Sequence, residues 1–166
     1  MNSLSLDIET LSTKFNAVIL EIGIVRFTET NIVDTLVLYP SLDEQIDNGQ
    51  IADDDTMEWW KRTNPEYLSK LLSIDRISIK DCHEQFVKFS SPYDKLWANS
   101  PAFDCVITNT MFQLAGLTSV TDFRRELCLR TYQHITGKNI PRNMADAHST
   151  MADALHQAKF IQTLKG

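Results

Sequence analysis

Asp7 and Glu9 stand two residues apart in LSLDIETL, alternating with Leu6 and Ile8. This period-2 pattern is that of a strand with one buried face, and it puts both carboxylates side by side on the other face. Like charges so placed repel, and strands disfavour Asp, so something must offset the pair. Water on an exposed face would do so. A divalent cation would also do so, because hard ions take oxygen ligands. Three more residues of compatible chemistry lie downstream. Asp104, in LWANSPAFDCVITN, falls at a helix start, where an acid also complements the helix dipole. His148 and Asp153, in DAHSTMADALHQAKFI, are five apart, about 500° of helical rotation, so both can reach one cleft. His148 can equally cap the helix and Asp153 face solvent, since Met151, Leu155, Ala158 and the residues from Ile161 to Leu164 already supply an apolar stripe.

The elements that must position these groups follow in a clear order. After the first strand, AVILEIGIVRF (17–27) is a long β-branched run, and NIVDTLVLYP (31–40) alternates again across a hairpin-length gap at 28–30. An acidic loop then leads to Asp55. The stretch DDTMEWWKRTNPEYLSKLLS reads as helix interrupted near Asn64-Pro65, and IKDCHEQFVKFSS as another with Ile79, Cys82, Phe86 and Phe89 on one side. KLWANS is a short strand, 103–114 a helix, ELCLRT (126–131) a strand and 147–164 a final helix. This order predicts an α/β fold with a five-stranded mixed sheet, its first three strands antiparallel and its helices on both faces. Right-handed crossovers then bring the last two strands beside the first, placing Asp7 and Glu9 near the sheet centre.

With 166 residues, 43% of them hydrophobic, the chain is expected to form a single domain, 1–166, around one sizeable core. No apolar run reaches the length of a membrane span, and Asp7 interrupts the one stretch that resembles a signal segment. Cys82, Cys105 and Cys128 are odd in number and widely spaced, which predicts buried free thiols and a cytoplasmic location. The net charge of -6 argues against a general nucleic-acid binder. Its distribution is uneven, however: residues 41–58 carry seven carboxylates and no Lys or Arg, whereas 121–145 carry Arg124, Arg125, Arg130, Lys138 and Arg142 against Asp122 and Glu126. An acidic protein of this kind can hold an anionic strand where metals neutralise the site and one flank is basic.

The set Asp7, Glu9, Asp104, His148 and Asp153 resembles the DEDDh 3'-5' exonucleases of the RNase H-like fold. The likeness extends through DIETLST, AVILEIGIVRF, DTMEWW, LWANSPAFD, LRT and the H-x4-D of the last helix, in order and over essentially the whole chain. It is greatest to a small phage and bacterial exoribonuclease branch, to which the T-even phage exonuclease A is related. That branch commonly reads H-N-A-L-D-D-A where this chain has His148-Ser149-Thr150-Met151-Ala152-Asp153-Ala154, and a Gly-Arg of its middle loop is Gly49-Gln50 here. The spacing of His148 and Asp153 is kept. The related class with a catalytic Tyr four residues before the last Asp is excluded by Ser149.

The resemblance implies hydrolysis of phosphodiester bonds at single-stranded RNA or DNA 3' ends, releasing nucleoside 5'-monophosphates with two Mg²⁺, for which Mn²⁺ would substitute. It implies that Asp7 bridges both ions, that Glu9 and Asp153 complete one, and that Asp104 holds the other. His148 would take the proton from the attacking water. Thr10 would meet the 3'-hydroxyl, and Leu11 would wedge between the last two bases. Arg130, in LRT, matches the family and suits either a phosphate or a surface ion pair. Trp60 beside Trp59 suits either a stacked base or the core, and Phe103 either substrate or packing. Similar enzymes are often homodimers. A proofreading or processing subunit of a larger assembly would use the same chemistry, whereas a non-catalytic binding module would have lost the ligands.

Overall fold

The computed structural model describes residues 2–90, 93, 95–140 and 149–164. Five strands form one sheet: β1 (Ser3–Thr10), β2 (Ile19–Phe27), β3 (Ile32–Leu38), β4 (Lys95–Ala98) and β5 (Glu126–Cys128). Their order is β3-β2-β1-β4-β5. The pairs β1–β2 and β2–β3 are antiparallel, while β4 runs parallel to β1 and β5 parallel to β4. The sheet is therefore mixed, with β1 at its centre, as the element order predicts.

Alternation along β1 and β2 sorts their side chains between two faces. Leu4, Leu6, Ile8, Ile22 and Ile24 pack with Cys82 and Phe86 of α4 (Ile79–Ser90) and with Met111 and Phe112 of α5 (Pro101–Leu114). On the opposite face Val25 and Phe27 meet Ala154, Ala158 and Ile161 of α7 (Thr150–Thr163). This second face also carries Ser5, Asp7 and Glu9, and Gly23 stands directly opposite Asp7 in the β1–β2 register. A Cβ on Gly23 would lie 2.7 Å from the backbone carbonyl carbon of Thr150. Glycine here lets the first turn of α7 rest on the sheet beside Asp7.

Three elements differ from the sequence reading. The acidic stretch is not a plain loop but contains α1 (Leu42–Asp47), capped by the Ser41 hydroxyl, which accepts from the Glu44 N–H. Its Gln45 is fully buried and exchanges two hydrogen bonds with the backbone of Ile19, and such a polar anchor leaves no hydrophobic period to read. The interrupted helix is two: α2 (Asp54–Thr63) and α3 (Pro65–Ser73), with Asn64 ending one and capping the other ahead of Pro65. Finally, β5 stops at Cys128, and Leu129 to Thr131 open a helix, α6 (Leu129–Thr136), that the β-like run ELCLRT conceals. Cys128 caps that helix and is partly exposed, whereas Cys82 and Cys105 are buried free thiols. No described helix is long and apolar enough to cross a membrane.

Candidate active site

The first turn of a helix delivers each acid that β1 does not. Asp153 lies in the first turn of α7, over the face that carries Asp7 and Glu9. Carboxylate oxygens of Asp7, Glu9 and Asp153 lie within 4.8 Å of one another. Asp104, in the first turn of α5 where β4 ends, is 4% exposed, and its Oδ2 accepts from the Ser100 N–H at 3.2 Å. All four line one cleft of about 480 Å³, together with Asn99, Phe103 and Arg130.

The cleft is electrostatically unfavourable for its own acids. Burial, and then the charges of Asp104, Glu9 and Asp153, push the Asp7 carboxyl well above the usual range, and the Gln157 amide opposes this by donating to Asp7 Oδ1 at 3.0 Å. Burial raises Glu9 in the same way, with Asp153, Glu21 and Asp104 adding to it. Asp104 is pushed up to about 7 by burial, although backbone N–H groups and the charge of Arg130 favour its ionised form. Hard oxygen donors held this close, and raised chiefly by burial and one another, suit a divalent cation, which would supply the missing positive charge.

The other sequence candidates divide. Arg130 is exposed on the first turn of α6 and lines the cleft, with its backbone N–H donating to Asn99 O at 3.2 Å. Phe103 lines the cleft and also packs against the core. Thr10 and Leu11 are each 7% exposed; the Thr10 hydroxyl donates to Ser12 O at 2.7 Å, and Leu11 packs with Val18, Leu20 and Leu71. Of the two readings left open for Trp60, a stacked base or the core, its position favours the core, where it is 1% exposed. Adjacent helical residues point about 100° apart, so one of the tryptophan pair turns inward. What Trp60 does is support Thr10, whose carbonyl accepts from its indole N–H at 2.9 Å. His148 and Arg142 lie outside the described residues.

Three contributors went unread in the sequence. Gly23 interrupts a β-branched run, which in a strand interior marks a close approach. Gln157 follows Asp153 by one helical turn and so shares its side of α7. Glu21, a carboxylate inside an apolar strand, sits across from Glu9 and is 3% exposed.

These raised carboxyls make a prediction about stability. The folded protein keeps protons that the unfolded chain has already released, so stability falls as pH rises from about 4 toward the folded value, about 7 for Asp104. For the metal-free protein the loss is on the order of 2–4 kcal/mol between pH 5 and 8. Thermal melts in EDTA should show a falling Tm over that window, and Mn²⁺ at pH 8 should restore it. A flat profile would contradict the strained site.

A family model described as the 3'-5' exoribonuclease Rv2179c-like domain matches residues 2–165. The chain belongs to this family. No curated protein matches it. The Rv2179c-like domain is similar in structure to E. coli exonuclease I in complex with a dT13 oligonucleotide, with a TM-score of 0.71 at 15% identity over 99% of this chain and 41% of that one. Against the zinc ion-bound E. coli exonuclease I–ssDNA complex the TM-score is 0.72 at 14% identity, covering 99% and 40%. The chain thus spans about two-fifths of the length of these neighbours. At such identity the likeness shows the fold, which is α/β and RNase H-like.

Proposed function

We propose that this 3'-5' exonuclease domain is of the DEDDh type and removes nucleoside 5'-monophosphates one at a time from single-stranded 3' ends. The observation that carries the reading is the meeting of Asp7, Glu9 and Asp153 oxygens within 4.8 Å, with Asp104 in the same cleft. Asp7, Glu9 and Asp153 would hold one divalent ion, Mg²⁺ or Mn²⁺, and Asp104 with Asp7 a second. Bound there, such ions neutralise phosphate charge and acidify water.

The chain's own groups do the rest. Gln157 holds the Asp7 carboxylate by donating to Oδ1, which leaves its other oxygen for a cation. Arg130 offers an exposed guanidinium at the rim, suited to a phosphate of the strand. His148, five residues before Asp153, is assigned from the sequence as acceptor of the proton from the attacking water. Thr10 and Leu11 follow Glu9 directly in the chain, and by the family resemblance they would hold the terminal nucleotide. RNA is the substrate favoured by the family's description, and the neighbours' complexes with single-stranded DNA favour single strands in either case.

The test is digestion of 5'-labelled RNA and DNA single strands and blunt duplexes, and of internally labelled single-stranded circles, with Mg²⁺ or Mn²⁺. Stepwise shortening to mononucleotides is expected for linear single strands. Blunt duplex should be slower, because unstacking a base costs a few kcal/mol. A 3'-phosphate should block. Efficient cutting of a circular single strand would overturn the end-directed reading.

A further inference from the structure

Glu21 lies on β2 directly opposite Glu9 of β1, so their side chains leave the same face of the sheet. Cross-strand partners stand about 4.5–5.5 Å apart at Cβ, and like charges so placed destabilise a sheet. Glu21 is also buried, where a carboxylate is costly unless hydrogen-bonded. Its bonds come from two elements. The Tyr39 hydroxyl, just past the end of β3, donates to Oε1 at 3.1 Å, and the Tyr67 hydroxyl of α3 donates to Oε2 at 2.6 Å. Burial, with Glu21 alongside, pushes Tyr39 up to about 12 and Tyr67 well above the usual tyrosine range, so both stay donors. Arg76 reaches the same region, yet its guanidinium donates to the carbonyls of Leu20, Pro40 and Leu71. Among the described residues Glu21 has no ion pair.

A tie between β2 and α3 does not require an acid at this position. Glutamine would reach as far, its amide oxygen accepting from one tyrosine and its N–H donating to the other, without repelling Glu9. What the carboxylate alone brings is negative charge. Its two donors are neutral, so they hold that charge without cancelling it. We propose that Glu21 is a positioning residue for the cation: its charge, fixed behind Glu9, turns the Glu9 carboxylate away from β2 and adds to the attraction that Glu9, Asp7 and Asp153 exert on a divalent ion. This rests on the metal-binding reading of the acidic cleft. Glu21 is not itself a ligand; it acts through Glu9 and through its field.

Two substitutions separate charge from hydrogen bonding. Glu21→Gln keeps the length and the tyrosine contacts and removes the charge, whereas Glu21→Asp keeps the charge and shortens the reach to the tyrosines. Mn²⁺ affinity by electron paramagnetic resonance, Tm in EDTA, and kcat and KM on a single-stranded oligonucleotide over a range of Mn²⁺ are measured on the full chain. Glu21→Gln should bind Mn²⁺ about 10-fold more weakly, the usual effect of losing an outer-shell partner, and need correspondingly more Mn²⁺ for half-maximal rate. Its KM for the oligonucleotide at saturating Mn²⁺ should be little changed, and its metal-free Tm no lower than wild type. Glu21→Asp should melt lower and bind Mn²⁺ nearly as wild type does. The reverse ranking, with Glu21→Asp the weaker binder, overturns the proposal and leaves Glu21 as a tie for α3. Wild-type Mn²⁺ affinity in Glu21→Gln overturns it equally. Should Glu21→Gln not fold, Glu21→Asp decides alone, and a Mn²⁺ affinity about 10-fold below wild type there counts against the proposal. If wild type binds Mn²⁺ no better than Asp7→Asn, the metal-binding reading itself fails, a result visible before any Glu21 variant is made.

Discussion

Asp7→Asn should abolish hydrolysis, by at least about 10³-fold, in a protein that folds and melts higher than wild type when metal is absent. The rate loss follows from position. The charges of Glu9, Asp153 and Asp104 all act on Asp7, and under the proposed function removing its charge would remove a ligand shared by metals that supply several kcal/mol of transition-state stabilisation. The stability gain follows from the same place. Asn preserves the shape and an oxygen for the Gln157 amide, while it relieves a buried charge that three neighbouring acids oppose. The two effects separate by addition of Mn²⁺, which should raise the Tm of wild type and not of the variant. Wild-type turnover by folded Asp7→Asn would refute the ligand assignment, and an unchanged metal-free Tm would refute the electrostatic account.

Gly23→Val should lower the rate about 10²-fold or more without altering any group that bears charge. A Cβ at Gly23 meets the carbonyl carbon of Thr150 at 2.7 Å and its Cβ at 2.8 Å. Backbone cannot swing aside as a long side chain can, so the start of α7 must lift from the sheet. Overpacking of this kind costs about 1–3 kcal/mol of stability, and a misplacement of about 1 Å near the chemistry suffices for 10²-fold in rate. Mn²⁺ affinity should fall with the rate, since Asp153 rides on the displaced turn. A variant that loses stability yet binds Mn²⁺ and turns over as wild type would show that the close approach serves packing alone.

The fold was readable where side-chain period and burial agree. The run ILEIGIVRF reported its own burial, the alternation SLSLDIET marked a strand although Ser3 and Ser5 proved buried as well, and the order of elements led to a sheet with β1 at its centre. Reading failed where polar groups set the structure. Gln45 bonds to the Ile19 backbone at an irregularity in the β1–β2 register, which no periodicity records, and α1 was missed with it. In ELCLRT, β-propensity hid a helix start capped by a cysteine. The acidic residues of the site were legible because their types carry the chemistry. Gly23, Gln157 and Glu21 were not, because their contacts exist only once β1, β2 and α7 are brought together.

The seating of α7 has a consequence for the order of events in biosynthesis. Gln157 and Asp7, hydrogen-bonded in the folded protein, are 150 positions apart in the chain. Long-range pairings of this kind close late, because loop entropy must be met before the contact rewards it. A ribosome-bound chain that has emerged through β5 can already form the three antiparallel strands, but it offers only Asp7, Glu9 and Asp104 to a cation. On the proposed reading of the cleft, the cation site is therefore completed only when the last described helix emerges and docks.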